Sequence, residues 1–174
     1  APVAAAIREQ AGRGLTYMLP TETALAAGRL LTDRFGPFLW QIATTATDAN
    51  RYALRVARAV TGRGKVLVFR GAYHGSVDET MVTLENGRTA AQPGLLGAPF
   101  DAAEAATCVE FNDLPAIGAA LATGTVAAVL TEPVMTNSCM VLPAPGFHEA
   151  LRDLCTRHGA LLVIDETHTQ SSGL

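Results

Sequence analysis

Asp165 is the residue whose place in the sequence most strongly indicates chemistry. It directly follows the apolar run LLVI at residues 161–164, so its carboxylate is predicted to be partly buried. A buried carboxylate needs a positive or strongly donating partner, and no Lys or Arg adjoins Asp165 in the sequence. A cationic group on a ligand would supply that partner, and a protonated pyridine nitrogen is one such group.

A second candidate site lies at residues 45–48, where a predicted strand gives way to a predicted helix. The free N–H groups and the positive dipole end of a helix N-terminus suit a phosphate, and the hydroxyls of Thr45 and Thr47 would be further donors. An ordinary helix N-cap, predicted at Thr47 and Asp48, is the alternative interpretation. Asp48 would repel a phosphate, so its carboxylate is expected to point elsewhere, toward the helix amides.

Aromatic and acidic side chains follow two further apolar runs. Tyr73, His74 and Gly75 come soon after residues 65–69, and the flat side chains offer a platform on which an aromatic ligand could stack. A tyrosine packed on the rim of a sheet is the alternative. Glu132 directly follows an apolar strand pattern, which places its carboxylate either at a binding site or at a solvated strand end.

The elements that must position these residues alternate between helices and strands. Helical patterns cover residues 1–12, 22–35, 47–61, 113–122 and 146–158. Strand patterns cover residues 38–44, 65–69, 107–111, 125–131 and 160–164, whereas residues 75–106 are predicted to be irregular. The helix after Asp48 is predicted to bury a stripe of Ala49, Tyr52, Ala53, Val56, Ala57 and Val60.

Strands that are apolar throughout, separated by amphipathic helices, are typical of a mostly parallel sheet covered on both faces. We therefore predict an α/β fold with three layers, α/β/α. In such a sheet, ligands bind beyond the carboxyl ends of the strands. The candidate residues are all predicted at these ends, so together they outline one site.

Composition limits the classes of function. The chain has 174 residues, 49% hydrophobic and 17% charged, with a net charge of -3, which indicates a globular protein and disfavours nucleic acid and anionic membranes as partners. No apolar run approaches the roughly 20 residues of a membrane span, and residues 1–12 lack a signal-peptide start, so a cytoplasmic protein is expected. Cys108, Cys139 and Cys155 lack metal-ligand spacing, which predicts buried reduced thiols and no metal site.

Taken together, the motifs resemble the class III pyridoxal-phosphate aminotransferases of fold type I. This group includes glutamate-1-semialdehyde aminomutase and the β-amino-acid (β-phenylalanine-type) aminotransferases. The resemblance covers almost the whole chain, in family-like order and spacing, at residues 44–49, 53–75 (ALRVARAVTGRGKVLVFRGAYHG), 132–137 (EPVMTN), 142–155 (LPAPGFHEALRDLC) and 161–169 (LLVIDETHT). The last motif and EPVMTN look most like the β-amino-acid enzymes.

The resemblance implies pyridoxal 5'-phosphate as cofactor and assigns residues to it. Ala46 and Thr47 match positions that bind the cofactor phosphate, and Tyr73 matches the ring that stacks on the pyridine. Asp165 matches the aspartate that keeps the pyridine nitrogen protonated, which agrees with the expectation from its setting. His168 falls where some relatives place a Gln near the ring hydroxyl.

Other positions are assigned less directly or depart from the family pattern. Glu132 matches a carboxylate on the substrate side, and His74 is as readily structural as catalytic. Ala46 adds a Cβ where relatives have Gly in the phosphate loop, and Cys139 also lies where relatives often have Gly. Lys65 is the only lysine, and it begins a strand, at the opposite edge of the sheet from the predicted site.

The implied activity is transfer of an amino group between an amino acid, with β-amino acids among the candidates, and a keto acid. Residues 1–174 are expected to be a central part of the large domain, without the N-terminal segment, the Schiff-base lysine region and the C-terminal small domain. No residue of this chain is therefore predicted to be catalytic, and the isolated chain is expected to lack turnover. The full-length enzyme is expected to be a homodimer.

Three alternatives stay open at this point. The first is an aminomutase that moves the amino group within one molecule, like glutamate-1-semialdehyde 2,1-aminomutase. The second is a non-catalytic pseudo-enzyme or binding module of the same fold. The third is a flavodoxin-like or nucleotide-binding α/β domain, which leaves the ordered motifs unexplained and lacks a GxxxxGK loop.

Overall fold

A computed structural model describes residues 1–170, which divide into two compact units, Ala1–Ile42 and the chain from Ala43 onward. The first unit contains helices α1 (Pro2–Arg13) and α2 (Glu22–Phe35), which confirms both predicted helices. Thr21 caps α2 by accepting a hydrogen bond from the Ala24 N–H at 3.2 Å.

The strand predicted at residues 38–44 is not formed. Trp40 packs against Phe35 and donates a hydrogen bond to the Thr32 hydroxyl at 3.0 Å. Phe38 and Leu39 are exposed, and no neighbouring strand pairs with this segment within residues 1–170. The apolar run therefore follows α2 without regular secondary structure, because a strand needs a partner for its backbone hydrogen bonds.

The second unit alternates strands with helices. In chain order it contains α3 (Ala46–Thr61), β1 (Lys65–Phe69), β2 (Val82–Glu85), β3 (Arg88–Ala91), α4 (Ala102–Ala105), β4 (Ala106–Val109), α5 (Leu114–Ala122), β5 (Val126–Thr131), α6 (Phe147–His158) and β6 (Leu161–Ile164). Most predicted bounds are met within one or two residues. The exception is the stretch predicted to be irregular, where β2 and β3 form an antiparallel hairpin around Asn86 and Gly87, both at positive φ.

The other four strands form a parallel sheet in the order β4-β1-β5-β6. The carboxyl ends of β5 and β6 are in register, with Thr131 opposite Ile164. The Asp165 N–H extends this pairing by donating to the Thr131 carbonyl at 2.8 Å. The predicted mostly parallel α/β fold is confirmed, and the residues that follow β1, β5 and β6 all lie at one edge of the sheet.

The central strands β1 and β5 are buried on both faces, whereas the edge strand β6 is partly exposed. Alternate residues of β1 point to opposite faces. Leu67 and Phe69 join a core with side chains of α5 and α6, whereas Val66 and Val68 join a second core with side chains of α3. Every residue of β5 is buried. Full burial of one such aliphatic side chain contributes about 1.5–3 kcal/mol, so the two cores fix the strand ends firmly.

Helix α3 differs from its prediction in its first residue and in its buried face. Its N-cap is Thr45, not Thr47 and Asp48. The buried residues are Asn50, Leu54 and Ala57, whereas four residues of the predicted stripe are exposed, namely Ala49, Tyr52, Val56 and Val60. The helix carries two apolar stripes, and the one that includes the polar Asn50 packs on the sheet.

The cysteines are free thiols, and two of the three are buried as predicted. Burial, with the charge of Glu110 adding to it, raises the pKa of the Cys108 thiol to about 12, and burial raises that of Cys155 to about 11. Cys139 is exposed instead, and it lies at φ 61° directly after the short 3-10 turn Thr136–Ser138. None of the helices within residues 1–170 combines the length and apolarity needed to cross a membrane.

Gly75 is predicted to be needed for the close packing of the turn after β1 against the start of α3. Its φ is 82°, and a Cβ there would overlap the Thr47 side chain and lie 3.1 Å from the Thr47 Cα. Gly75→Ala should therefore lower the free energy of unfolding by more than Gly87→Ala, which shares the positive φ but has open space around it. The excess should be about 1–3 kcal/mol, measured by denaturant unfolding. Equal losses in the two variants would contradict this packing.

Candidate functional site

A cavity of about 180 Å³ lies at the carboxyl edge of the parallel sheet. The start of α3, the turn after β1, the end of β5 and the turn after β6 contribute its lining residues, which are Ala46, Thr47, Tyr73, His74, Gly75, Glu132, Asp165, Thr167 and His168. The six residues that the resemblance assigns to the cofactor or the substrate side are all among them, namely Ala46, Thr47, Tyr73, Glu132, Asp165 and His168. The structure therefore brings together side chains that are more than 110 residues apart in the chain.

Asp165 is the centre of the hydrogen bonding at this cavity. Its Oδ2 accepts hydrogen bonds from Asn50 Nδ2 at 2.8 Å and lies 2.9 Å from His74 Nδ1. Its Oδ1 accepts from the N–H and the hydroxyl of Thr167, at 3.1 and 2.5 Å. Hydrogen bonds to a charged group contribute roughly 1.5–3 kcal/mol each, so these contacts favour the ionised carboxylate.

The pKa of Asp165 reflects two opposing effects. Burial acts to raise the pKa, but the hydrogen bonds from His74, Thr167 and Asn50 outweigh burial and hold it well below the ordinary value. An ionised carboxylate can only accept hydrogen bonds, so the proton shared with His74 belongs to His74 Nδ1. The partner that the sequence seemed to lack is thus supplied by residues distant in the chain, without a Lys or Arg.

Asn50 is a site residue that sequence reasoning missed. Its side chain is buried, and its Nδ2 also donates to the His74 backbone carbonyl at 3.1 Å. Asn50 therefore joins α3 to both the turn after β1 and the turn after β6. The available signal was its spacing, because Asn50 lies four residues before Leu54 and so shares its helix face.

His74 is buried at 2% exposure and has one nitrogen engaged. Its Nε2 has no hydrogen-bond partner within residues 1–170. A buried polar atom without a partner is uncommon in a native protein. At the wall of a cavity, such an atom is consistent with a binding site that the chain alone does not complete.

The start of α3 was predicted as an anion site, and the structure corrects which of its groups are free to donate. The Thr45 hydroxyl accepts from the Asp48 N–H at 3.1 Å and donates to the Asp48 carboxylate at 2.9 Å. Thr45 is therefore an N-cap and not a ligand donor, and Asp48 is turned toward it. The N–H groups of Ala46 and Thr47 have no intrahelical acceptor, and the Thr47 hydroxyl accepts from the Ser76 N–H at 3.2 Å.

Glu132 belongs to a second hydrogen-bonded chain at the same edge. It is 4% exposed, and its Oε2 accepts from the Thr136 N–H at 3.1 Å and the Thr136 hydroxyl at 2.7 Å. The same hydroxyl lies 2.6 Å from His168 Nδ1. Glu132 and His168, predicted separately, are thus connected through Thr136.

The remaining predicted residue, Tyr73, is half exposed at the cavity. Its ring can contact a flat ligand, because it is not packed in the hydrophobic core. Lys65 lies far from this group. It begins β1, and its Nζ donates to the Ala103 carbonyl at 2.7 Å. Phe69 is at the other end of the strand, about 13 Å away at a rise of about 3.3 Å per residue.

A larger cavity, of about 810 Å³, lies within residues 17–42. Its lining includes apolar side chains that are largely exposed, such as Met18 and Leu39, and it contains none of the predicted site residues. We assign the functional site to the smaller cavity, since buried polar groups converge there on one ionised carboxylate.

The family is shown by comparison with known proteins. The sequence model described as "Aminotransferase class-III" matches residues 2–172. The chain belongs to this family. It is 37% identical over 172 residues to glutamate-1-semialdehyde 2,1-aminomutase of Bordetella avium (strain 197N), a match that covers 96% of this chain and 40% of that protein.

Solved structures agree with this assignment. A glutamate-1-semialdehyde aminomutase from Pseudomonas aeruginosa PAO1 is 55% identical, with a TM-score of 0.94 over 98% of this chain and 38% of that one. A variant of that enzyme was solved in complex with PMP. A β-phenylalanine aminotransferase from Variovorax paradoxus is 31% identical, with a TM-score of 0.78 over 97% of this chain and 37% of that one. The predicted fold type I is therefore confirmed, and the chain spans about two fifths of the length of these relatives.

The pH dependence of stability should report on Asp165. Its pKa is lower in the folded chain than the roughly 3.9 of an unfolded aspartate, so its ionised form stabilises the fold. This contribution is fully present above about pH 4 and is lost as the pH falls through the lowered folded-state pKa. The free energy of unfolding should therefore decrease less between pH 7 and pH 2 in Asp165→Asn than in the unmodified chain. Asp153 is exposed and offers a control. An equal change in the pH dependence of Asp153→Asn would contradict the assignment.

Proposed function

We propose that residues 1–174 are the central part of the cofactor-binding large domain of a pyridoxal 5'-phosphate-dependent aminotransferase. The full-length enzyme transfers an amino group between an amino acid and a keto acid. The observation that carries the proposal is the convergence of an ionised carboxylate, a helix N-terminus and an exposed aromatic ring on one cavity. These three features match the nitrogen, the phosphate and the flat ring of this cofactor.

The phosphate end of the cofactor is assigned to the start of α3. The N–H groups of Ala46 and Thr47 point out of the first helical turn, and the positive end of the helix dipole favours an anion there. Thr47 is held against the turn after β1 by the Ser76 N–H. Asp48 does not oppose a phosphate, because its carboxylate accepts the Thr45 hydroxyl proton.

The ring of the cofactor is assigned to Asp165, Tyr73 and His168. Bound pyridoxal phosphate supplies an electron sink for the electrons that remain when a Cα proton departs. Asp165 keeps the ring nitrogen protonated, because its ionised carboxylate accepts a charge-assisted hydrogen bond from that nitrogen. The exposed Thr167 hydroxyl is the donor most readily displaced from Asp165 to make room for it. Tyr73 stacks on the ring, and His168 holds the ring hydroxyl.

The lysine that binds the cofactor covalently is proposed to lie outside residues 1–174. Lys65 is the only lysine of the chain, and it lies at the amino end of β1 with its ammonium group bound to the Ala103 carbonyl. The isolated chain is therefore proposed to lack turnover. The cavity of about 180 Å³ is also smaller than the roughly 300–1,000 Å³ of complete ligand pockets, which supports further walls from outside this segment.

We propose a homodimer in the cytoplasm for the full-length enzyme. Exposed apolar side chains such as Met18, Leu39 and Val56 support an interface. Three free thiols in the described residues support a reducing compartment. Light scattering of the purified full-length protein tests the assembly.

Intramolecular amino transfer, as in an aminomutase, is the second candidate. It is favoured by the 37% and 55% identity to two proteins described as glutamate-1-semialdehyde aminomutases, against 31% for the β-phenylalanine aminotransferase. The motifs at residues 132–137 and 165–169 favour the β-amino-acid enzymes instead. A ¹⁵N-labelled donor incubated with unlabelled keto acid separates the two, since only intermolecular transfer moves the label onto the acceptor.

The test of the proposed function uses the full-length protein with pyridoxal phosphate and a panel of α- and β-amino acids. Asp165→Asn should lower the rate of amino transfer on the order of 10²–10³-fold, the usual effect of removing a preorganised electrostatic contact. Asp153→Asn, at an exposed position of α6, should leave the rate unchanged. Cofactor binding without any amino transfer would favour the pseudo-enzyme, and absence of cofactor binding would contradict the proposal.

A further inference from the structure

We propose that Glu132 is a positioning residue for His168 and acts on it through the Thr136 hydroxyl. This inference rests on the proposed function, because it concerns a residue assigned to the cofactor ring. It gives Glu132 a structural role inside the site, in addition to the substrate-side position that the resemblance implies. The chain of contacts runs from the end of β5 to the turn after β6.

The Glu132 carboxylate is buried, and its described hydrogen bonds all involve one residue. The residue is 4% exposed, and its Oε1 is shielded from solvent and has no donor within the described part of the chain. A buried carboxylate is stabilised by the hydrogen bonds that it accepts. Both hydrogen bonds described for the Glu132 carboxylate come from Thr136, so the carboxylate is directed at that residue.

The placement of protons along the chain follows from these donors. The Thr136 N–H can only donate, so Glu132 Oε2 presents lone pairs toward Thr136. The Thr136 hydroxyl has one proton, and at 2.7 Å from the same oxygen it donates that proton to Glu132. Its contact at 2.6 Å with His168 Nδ1 must then be an accepted hydrogen bond. Nδ1 of His168 therefore carries a proton.

The reverse arrangement is disfavoured. A Thr136 hydroxyl that donates to His168 Nδ1 would require a proton on Glu132 Oε2. That oxygen already accepts the Thr136 N–H, and a proton on it would compete with this hydrogen bond. The polarity of the chain thus runs from His168 through Thr136 to Glu132.

The consequence for the site is a fixed tautomer. In a neutral imidazole with Nδ1 protonated, Nε2 is the basic nitrogen. Glu132 and Thr136 thereby determine which ring nitrogen of His168 carries the proton and how the ring is oriented at the cavity. A Gln at this position, as in some relatives, has no tautomer to fix, so the arrangement is tied to the histidine.

The test measures the tautomer of His168 directly in the full-length protein, with and without cofactor. Long-range ¹H–¹⁵N spectra of ¹⁵N-histidine-labelled protein identify the protonated nitrogen, and His168→Gln assigns the signal. Thr136→Ser keeps the hydroxyl and should preserve the Nδ1–H form. Thr136→Val has nearly the same shape without the hydroxyl, and should shift the population toward Nε2–H. An unchanged His168 signal in Thr136→Val would overturn the proposal.

Variants of Glu132 provide the second arm. In Glu132→Gln the Thr136 N–H should orient the amide oxygen toward Thr136, so the Nδ1–H form should be retained. Glu132→Met removes the acceptor and should lose it. Loss of the Nδ1–H form of His168 in both variants would show that Glu132 does not act through Thr136 as described, and would overturn the proposal.

Cofactor affinity separates this inference from the proposed function. Thr136→Val should bind pyridoxal phosphate roughly two- to tenfold more weakly than Thr136→Ser, the range for one net hydrogen bond. If the unmodified protein binds no pyridoxal phosphate, the proposed function fails. The His168 spectra of the cofactor-free protein still decide whether Glu132 positions the ring.

Discussion

The arrangement at the sheet edge depends on one ionised carboxylate that is held without a neighbouring Lys or Arg. Asp165 follows a strand of the sheet, and the side chains of Asn50 and His74 reach it from two other segments. Because Asn50 also binds the His74 backbone, the three residues fasten α3, the turn after β1 and the turn after β6 to one another. The hydrogen bonds that lower the pKa of Asp165 are therefore also contacts that shape the cavity.

The parallel sheet makes this convergence possible. β1 lies beside β5, and β5 beside β6, so the residues after three strands with distant sequence positions meet at one edge. Two buried cores pack against the two faces of the sheet. The polar side chains of the site lie in the turns at the sheet edge. Helix α3 begins at the same edge, and its first residues, Ala46 and Thr47, line the cavity.

Much of this arrangement follows from sequence patterns that are local. Strands that are apolar throughout predicted the parallel sheet, and the rule that ligands bind at carboxyl strand ends placed Tyr73, Glu132 and Asp165 together. The N-terminus of α3 was predicted as an anion site from its free N–H groups and the helix dipole. The comparisons show the family, whereas the cofactor roles of these residues stay predictions.

The parts that the sequence did not indicate depend on contacts between distant residues. No local feature of the sequence around Asn50 predicts its hydrogen bond to Asp165, which lies 115 positions away. The prediction of the buried stripe of α3 was wrong. The helix has two apolar stripes, and the sequence alone does not show which of them packs on the sheet. The strand predicted at residues 38–44 has a strand-like composition, but its formation depends on a pairing partner. The link from Glu132 to His168 requires Thr136, whose position in a surface turn carries no periodic signal.

The central claim is that Asp165 is an ionised carboxylate held ready for a protonated ring nitrogen. The most direct measurement is the ¹⁵N chemical shift of the ring nitrogen of labelled pyridoxal phosphate bound to the full-length protein at neutral pH. The account predicts the shift of a protonated pyridinium nitrogen in the unmodified protein, and its loss in the Asp165→Asn variant. A bound cofactor whose ring nitrogen is unprotonated beside an intact Asp165 would contradict it.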